Sequence, residues 1–227
     1  MDETVNPKEI MSKKHFLNMA VGSSMLALAL AVTGCVSSGY HRGEQVGAAL
    51  QASAIRVEGH LVQQDLAISL LNELVDTPQT DLRPQFKKFS SALGKPGTLA
   101  TSIREADQDM YSRGEVYFAE WDKELAVIQN ESIRYRGQSR KVEVLNQYNE
   151  VRNACARVQT EIAPLESDLW DVHRFLNADL TPGGLAAIRD ATTRVNQLAA
   201  PVHDSVTKLA GDMRSLGVAM SPLNVAK

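Results

Sequence analysis

The chain has few cysteines, few aromatic residues and little excess charge of either sign. Its 227 residues include 2 cysteines, aromatic residues make up 5% of them, and the formal net charge is −3. Two cysteines cannot build the disulfide framework of a small secreted protein, and sparse aromatic residues with scattered glycines disfavour a β-sandwich or β-barrel. The small negative charge is unlike that of a nucleic-acid-binding surface. The composition therefore favours a helical protein that does not bind nucleic acid.

Sequence motifs of familiar active sites are missing as well. No cysteine or histidine pairs have the spacing of zinc or haem sites, and no Glu-x-x-His pair marks a di-metal helical bundle. The sequence also has no glycine-rich phosphate loop and no Gly-x-Ser-x-Gly turn. We therefore predict that the protein is not an enzyme and uses neither a cofactor nor a metal.

The first 35 residues resemble the signal peptide of a bacterial lipoprotein. Lys13 and Lys14 precede an apolar stretch over residues 16–32, and small side chains then lead to Gly34 and Cys35. A secretory signal has this order of basic, apolar and small residues. The apolar stretch is shorter than the roughly 20 residues that cross a membrane, although an uncleaved anchor helix stays the alternative.

This resemblance implies that residues 1–34 are removed and that Cys35, acylated with fatty acids such as palmitate, becomes the N-terminus. Residues 35–44 would form the lipidated start and a flexible tether, because they are rich in glycine and serine, and residues 45–227 a helical domain. Valine at position 36 implies an outer-membrane anchor with the body in the periplasm. A start at Met11 would give a signal of ordinary length, with residues 1–10 as an upstream extension.

Apolar residues repeat at steps of three and four over most of residues 45–216, the pattern of helices that pack along one narrow stripe. Proline and glycine clusters interrupt this pattern, and Asp81 and Thr181 are candidate N-caps. The predicted helices cover about residues 45–76, 82–93, 98–129, a long segment that ends near 176, and 184–216. We predict an all-α protein, an elongated antiparallel bundle or coiled-coil-like arrangement, with kinks near Pro164 and Pro201.

A few residues are candidates for a binding site or a partner contact. His173 lies near Trp170, Asp168 and Asp171, which suits a metal or ligand site, but a surface histidine with acidic neighbours explains the same pattern. Trp121 lies on an apolar stripe, where core packing is the default. Should Trp121 and Trp170 share an exposed face, they would indicate a partner-docking site.

Charged clusters and the second cysteine have two interpretations each. Arg134, Arg136, Arg140 and Lys141 form a basic cluster that suits lipid headgroups or an acidic partner, or else a solvated helix face. Cys155 lies on an apolar stripe, which favours a small buried side chain over a reactive thiol or an intermolecular disulfide. Three glutamates, at positions 115, 120 and 124, could be paired carboxylates for acid–base catalysis or part of a solvent-exposed helix face. Their spacing alone does not distinguish these two interpretations.

Two segments resemble a family of bacterial envelope proteins known only as a domain of unknown function. The first, over residues 116–125, contains the run Glu-Trp-x-x-Glu-Leu, and the second, over residues 172–178, ends in Leu-Asn-Ala. The resemblance covers most of residues 45–216 and departs from the family pattern at residues 181–184 and at Pro201. It implies long helices and an envelope location, and it brings no catalytic residues.

These observations predict a membrane-anchored lipoprotein that serves as a non-enzymatic helical scaffold or adaptor in the cell envelope. Its partners would be membrane lipid, through Cys35, and an envelope protein or further copies of itself. One alternative is a periplasmic bundle that binds a cofactor or metal in its core. Another is a self-associating coiled-coil oligomer, because narrow apolar stripes also pair between copies.

Overall fold

The computed structural model describes residues 39–95 and 97–222. Within these ranges the chain forms six α-helices and no β-strand. The helices are α1 (Gly39–Asp76), α2 (Arg83–Leu93), α3 (Thr98–Ala126), α4 (Glu131–Ala178), α5 (Pro182–Ala187) and α6 (Arg189–Met220). The predicted all-α bundle is confirmed. The predicted signal peptide over residues 1–34 and the proposed lipidation site Cys35 lie outside the described residues.

Helices α2 and α3 lie end to end and run antiparallel to α1. Near the start of α1, the guanidinium of Arg42 pairs with Glu124 near the end of α3. Further along α1, the side-chain amide of Gln63 donates a hydrogen bond of 2.8 Å to the carbonyl of Ala92 in α2. The chain therefore turns back over residues 77–82 and then passes α1 with two helices in series.

Helix α4 returns in the direction of α1, and α6 runs back again. Arg152 of α4 pairs with Asp107 of α3 at 2.8 Å, and Asp168 of α4 pairs with Arg194 of α6 at 2.9 Å. The bundle closes where α6 packs along α1, for example through the ion pair of Arg214 with Glu58. The order of directions is thus that of an up-down-up-down four-helix bundle in which α2 and α3 share one position.

The apolar stripes predicted from the sequence form the core. Helix α4 shows the pattern clearly, because its buried side chains alternate in steps of four and three over about nine turns. These buried residues are Val144, Tyr148, Val151, Cys155, Val158, Ile162, Leu165, Leu169, Val172 and Leu176. Pro164 lies inside α4 and Pro201 inside α6, so both helices continue through their prolines.

The helix ends follow local hydrogen bonding. The side chain of Thr181 accepts a hydrogen bond of 3.1 Å from the Gly184 N–H and caps α5, as predicted. Asp81, the predicted cap of α2, accepts from the N–H of Arg83, while Leu82 occupies the N-cap position. The last predicted helix is divided at Ile188 into α5 and α6.

Helix α1 begins at Gly39 rather than at residue 45, so residues 39–44 of the predicted tether belong to this helix. Gly43 and Gly47 lie where α1 approaches the last turns of α6, near Gly217 and Met220. A glycine has no side chain to hold two helices apart, and small residues four positions apart allow such an approach. Gly43, which the sequence placed in a flexible tether, therefore serves close helix packing.

Candidate functional site

His173 and Trp170 lie together on α4, in an aromatic cluster with two phenylalanines of α2. The His173 ring stacks on Phe86 with 5.4 Å between ring centroids, and Trp170 meets it edge-on at 5.2 Å. The imidazole Nε2 lies 2.8 Å from the hydroxyl oxygen of Ser90. Burial, with the nearby charge of Arg174, lowers the pKa of His173. The ring thus joins α4 to α2 and is held towards its neutral form.

The acidic neighbours of His173 are used elsewhere. Asp168 lies 2.9 Å from the guanidinium of Arg194 in α6, and Asp171 pairs with Arg174 on its own helix. Within residues 39–95 and 97–222, no three His, Cys, Asp or Glu side chains are grouped so that they could hold a metal ion. The sequence neighbours of His173 therefore do not converge on it.

A cavity of about 240 Å³ lies next to this cluster, at the junction between α2 and α3. His60, Lys95, Glu166 and Trp170 contribute to its wall. The junction can turn sharply because Gly94 and Gly97 adopt positive φ angles of 68° and 67°. Glycines in a break between two helices thus create the space.

Glu166 is the acidic residue at the wall of this cavity. Its carboxylate accepts a hydrogen bond of 3.4 Å from the N–H of Ala100, in the first turn of α3. Burial raises the pKa of Glu166, and hydrogen bonds from the N–H groups of Ala100 and Leu99 oppose this effect. Glu166 therefore caps α3 from another helix. Sequence reasoning missed it, because a capping residue far along the chain leaves no local pattern.

Trp121 belongs to a different part of the bundle. Its ring packs against Tyr117 and Phe118 of its own helix, with centroid distances of 5.5 and 6.4 Å, and Phe118 meets Tyr148 of α4 at 5.4 Å. Its neighbour Asp122 pairs with Lys141, which precedes Trp170 on α4 by about 40 Å of helix. Trp121 and Trp170, both partly buried, are thus not brought onto one site.

The charged clusters of the sequence separate into individual pairs. Lys141 is buried against Asp122, and Arg140 pairs with Glu143 at 2.8 Å. Glu120 pairs with Lys123 at 2.6 Å, and the hydroxyl of Tyr111 donates a hydrogen bond to Glu115. The three glutamates therefore do not line a common pocket. Arg134, Arg136 and Arg140 of the basic cluster are exposed, and the first two lie in the first two turns of α4.

The turn between α3 and α4 gathers exposed apolar side chains with these two arginines. We call residues 127–136 the α3–α4 tip. Val127, Ile133 and Tyr135 are exposed by 73%, 57% and 76% of their surface. Asn130 begins α4 here, because its side chain accepts a hydrogen bond of 3.1 Å from the N–H of Ile133. The exposed residues Val127, Ile133 and Tyr135 do not belong to the apolar stripes predicted from the sequence.

Two further features bear on function. A groove of about 480 Å³ runs between α4 and α6, with Arg157, Lys208 and Asp212 among the residues at its wall. Cys155 has no exposed surface, and burial, reinforced by the charge of Asp107, raises the pKa of its thiol to about 12.

None of the helices in the described part of the chain has both the length and the apolar character needed to cross a bilayer.

Comparison with known proteins identifies a family. The sequence profile of the family described as "protein of unknown function (DUF2959)" matches residues 39–215, and the chain belongs to this family. The matched range begins with α1 and ends within α6, so it contains the whole of the bundle except its last residues. No curated protein and no solved structure matches the chain.

Proposed function

We propose that this member of the DUF2959 family is a lipid-anchored helical scaffold or adaptor of the bacterial cell envelope, without enzyme activity. The resemblance of residues 1–35 to a lipoprotein signal supports the anchor. The position of α1 is the observation that carries the proposal, because its first residue, Gly39, lies only four positions after Cys35 in the sequence. Four extended residues span at most about 14 Å, so an acyl group on Cys35 would hold the bundle close to the bilayer.

The anchor would be strong enough to retain the protein. Each buried methylene group of an acyl chain contributes about 0.8 kcal/mol, and two lipid signals already give stable binding to a bilayer. A thiol that carries diacylglycerol, on a residue whose amino group is also acylated, supplies more than two chains. Membrane retention would then depend on Cys35 alone and not on the exposed surface of the bundle.

A scaffold or adaptor needs a rigid body, and the packing of α1 supports this role. Gly43 and Gly47 bring the first turns of α1 against α6, and Arg42 ties the same turns to Glu124 of α3. A force applied at Cys35 would therefore pass directly into three helices of the bundle. A protein built in this way can hold a partner at a fixed distance from a membrane.

The anchor is tested by metabolic labelling of the full-length protein with a fatty-acid probe, followed by fractionation of the cells. Cys35→Ala should lose both the label and membrane retention, whereas the matched variant Cys155→Ala should keep both. A Cys35→Ala protein that still sediments with membranes as well as wild type would contradict the proposal. The two variants separate acylation at one position from a general effect of removing a cysteine.

The adaptor role is tested by crosslinking of the anchored protein in its native envelope, with the Cys35→Ala variant as the control. A defined neighbouring protein should be crosslinked only when the anchor is present. Light scattering on the purified protein distinguishes a monomer from an oligomer of this chain. A monomer without any crosslinked neighbour would argue against a scaffold or adaptor.

A further inference from the structure

We propose that the α3–α4 tip rests on the headgroup layer of an anionic phospholipid membrane, the same membrane that holds Cys35. Because this contact depends on the lipid anchor proposed above, its test must distinguish the two. The inference combines three observations: exposed apolar side chains, exposed arginines, and the level of the tip relative to the start of α1.

The apolar side chains of the tip are large and close to one another in the chain. Val127, Ile133 and Tyr135 lie on either side of the same short turn and expose more than half of their surface. Single exposed apolar residues are common on protein surfaces, but a group of them at one projecting turn indicates an interaction. Tyrosine is also among the residues preferred at the boundary between lipid and water.

The charge of the tip suits an anionic surface. Arg136 has no carboxylate within ion-pair distance among the described residues, and Arg134 lies 4.0 Å from an exposed carboxylate, Glu131. Both arginines are in the first two turns of α4, where side chains lean towards the N-terminal end of the helix. The guanidinium of Arg134 donates a hydrogen bond of 3.1 Å to the carbonyl of Ile128, so its positive charge lies at the turn itself. Arg136 is exposed two residues further along the same helix.

The tip lies at the level where the anchor would enter the membrane. A Cβ atom built on Gly39 would touch the carboxylate of Glu124, so the start of α1 is level with the end of α3. Val127 is three residues beyond Glu124, or about 5 Å further along the helix direction. The four residues from Gly39 back to Cys35 span at most about 14 Å. A lipid on Cys35 would thus bring the tip within reach of the headgroups.

The test uses the full-length, acylated protein carrying Ile133→Cys, labelled there with an environment-sensitive fluorophore. Cys35 is blocked by its lipid and Cys155 is buried, so the label goes to the new thiol. The protein is reconstituted into vesicles of phosphatidylcholine and phosphatidylglycerol that contain a lipid with a nitroxide quencher. The matched control carries the same label at Thr80→Cys, in the exposed turn between α1 and α2.

The label at residue 133 should be quenched severalfold more strongly than the label at residue 80. Arg136→Gln should weaken the contact about fivefold, as expected for one basic residue near an anionic surface. Lys88→Gln, which removes the same charge from α2, should leave quenching at residue 133 unchanged. Vesicles of phosphatidylcholine alone should lower the quenching at residue 133 at least as much as Arg136→Gln does, because they remove the attraction of both arginines.

Flotation of the unlabelled protein with the same vesicles separates the two proposals. If wild type does not float, both the anchor and the tip contact are wrong. If wild type floats but the labels at residues 133 and 80 are quenched equally, the anchor stands and the tip contact is wrong. If quenching at residue 133 does not depend on the anionic lipid, the assigned partner chemistry is wrong.

Discussion

Gly47 of α1 and Gly217 of α6 face each other across the interface that closes the bundle. A Cβ atom added to Gly47 would lie 2.5 Å from the carbonyl oxygen of Gly217, and one added to Gly217 would lie 2.8 Å from that of Gly47. Both obstacles are backbone atoms, which cannot rotate away as a side chain can. The two helices can therefore keep this separation only with glycine at both positions.

The first prediction concerns two glycines of the same helix. Gly217→Ala should lower the free energy of unfolding by about 1–2 kcal/mol, because overpacking outweighs the gain in helix propensity. Gly211→Ala, where no atom lies within 4 Å of the added Cβ, should raise it by about 0.5–1 kcal/mol. Chemical denaturation measures both. Equal effects of the two substitutions would mean that the α1–α6 approach is not tight.

The second prediction concerns the thiol of Cys155. Since the side chain is fully buried and its pKa is raised to about 12, a thiol reagent in mildly alkaline buffer should react with it only as fast as the protein unfolds. Addition of denaturant should therefore increase the labelling rate in parallel with the unfolded fraction. Thr80→Cys provides an exposed thiol for comparison. Prompt labelling of Cys155 in native buffer would show that the core around it opens.

The third prediction follows from the raised pKa of Glu166. The folded state binds the Glu166 proton more tightly than the unfolded chain does, so stability decreases as the pH rises through the window from the ordinary glutamate pKa to the raised one. Glu166→Gln stays neutral and can still accept the Ala100 N–H. Relative to wild type, this variant should become more stable across that window and level off above it.

The comparison of two proteins that differ only at residue 166 isolates the contribution of this carboxyl group. His60 and Lys95 line the same cavity and are present in both wild type and Glu166→Gln. Chemical denaturation of both proteins over a series of pH values therefore gives the difference in free energy of unfolding that is due to residue 166. A difference that stays constant with pH would show that the carboxyl group is no harder to ionise in the folded protein than in the unfolded chain.

The fourth prediction has the opposite sign and concerns His173. Its pKa is lowered from the ordinary value of 6.5, so the unfolded chain binds this proton more readily than the folded state. Stability should therefore fall as the pH is lowered from 6.5 through the lowered pKa of the folded protein. His173→Gln should lack this decrease. An NMR titration of the imidazole checks the shift directly, and a midpoint at or above the ordinary value would disprove it.

The sequence predicted the helices and their buried faces well, because both depend on local spacing. Val151, Ile162 and Leu176, for example, follow the repeat of three and four residues along α4, and all three are buried. Prolines and glycines also marked most of the breaks, such as Pro78 and Gly94. The matching family range, residues 39–215, agrees with the resemblance found in two short motifs.

The relations between helices could not be predicted in the same way. Spacing identifies the face of a helix that is buried, but not how far one helix is shifted along another, and this shift separates Trp121 from Trp170. The role of Gly43 in helix packing was missed because glycine contributes nothing to an apolar stripe. Glu166 was missed because the helix end that it caps is far away in the chain.

The pairing of α1 with α6 has a consequence for when the protein can fold. These are the first and last helices, and contacts such as that between Gly43 and Met220 join the two ends of the described chain. Such contacts between distant parts of a sequence form late, because a long loop must be closed first. A ribosome therefore has to release α6 before the bundle can close, and until then α1 lacks the helix that packs against its glycines.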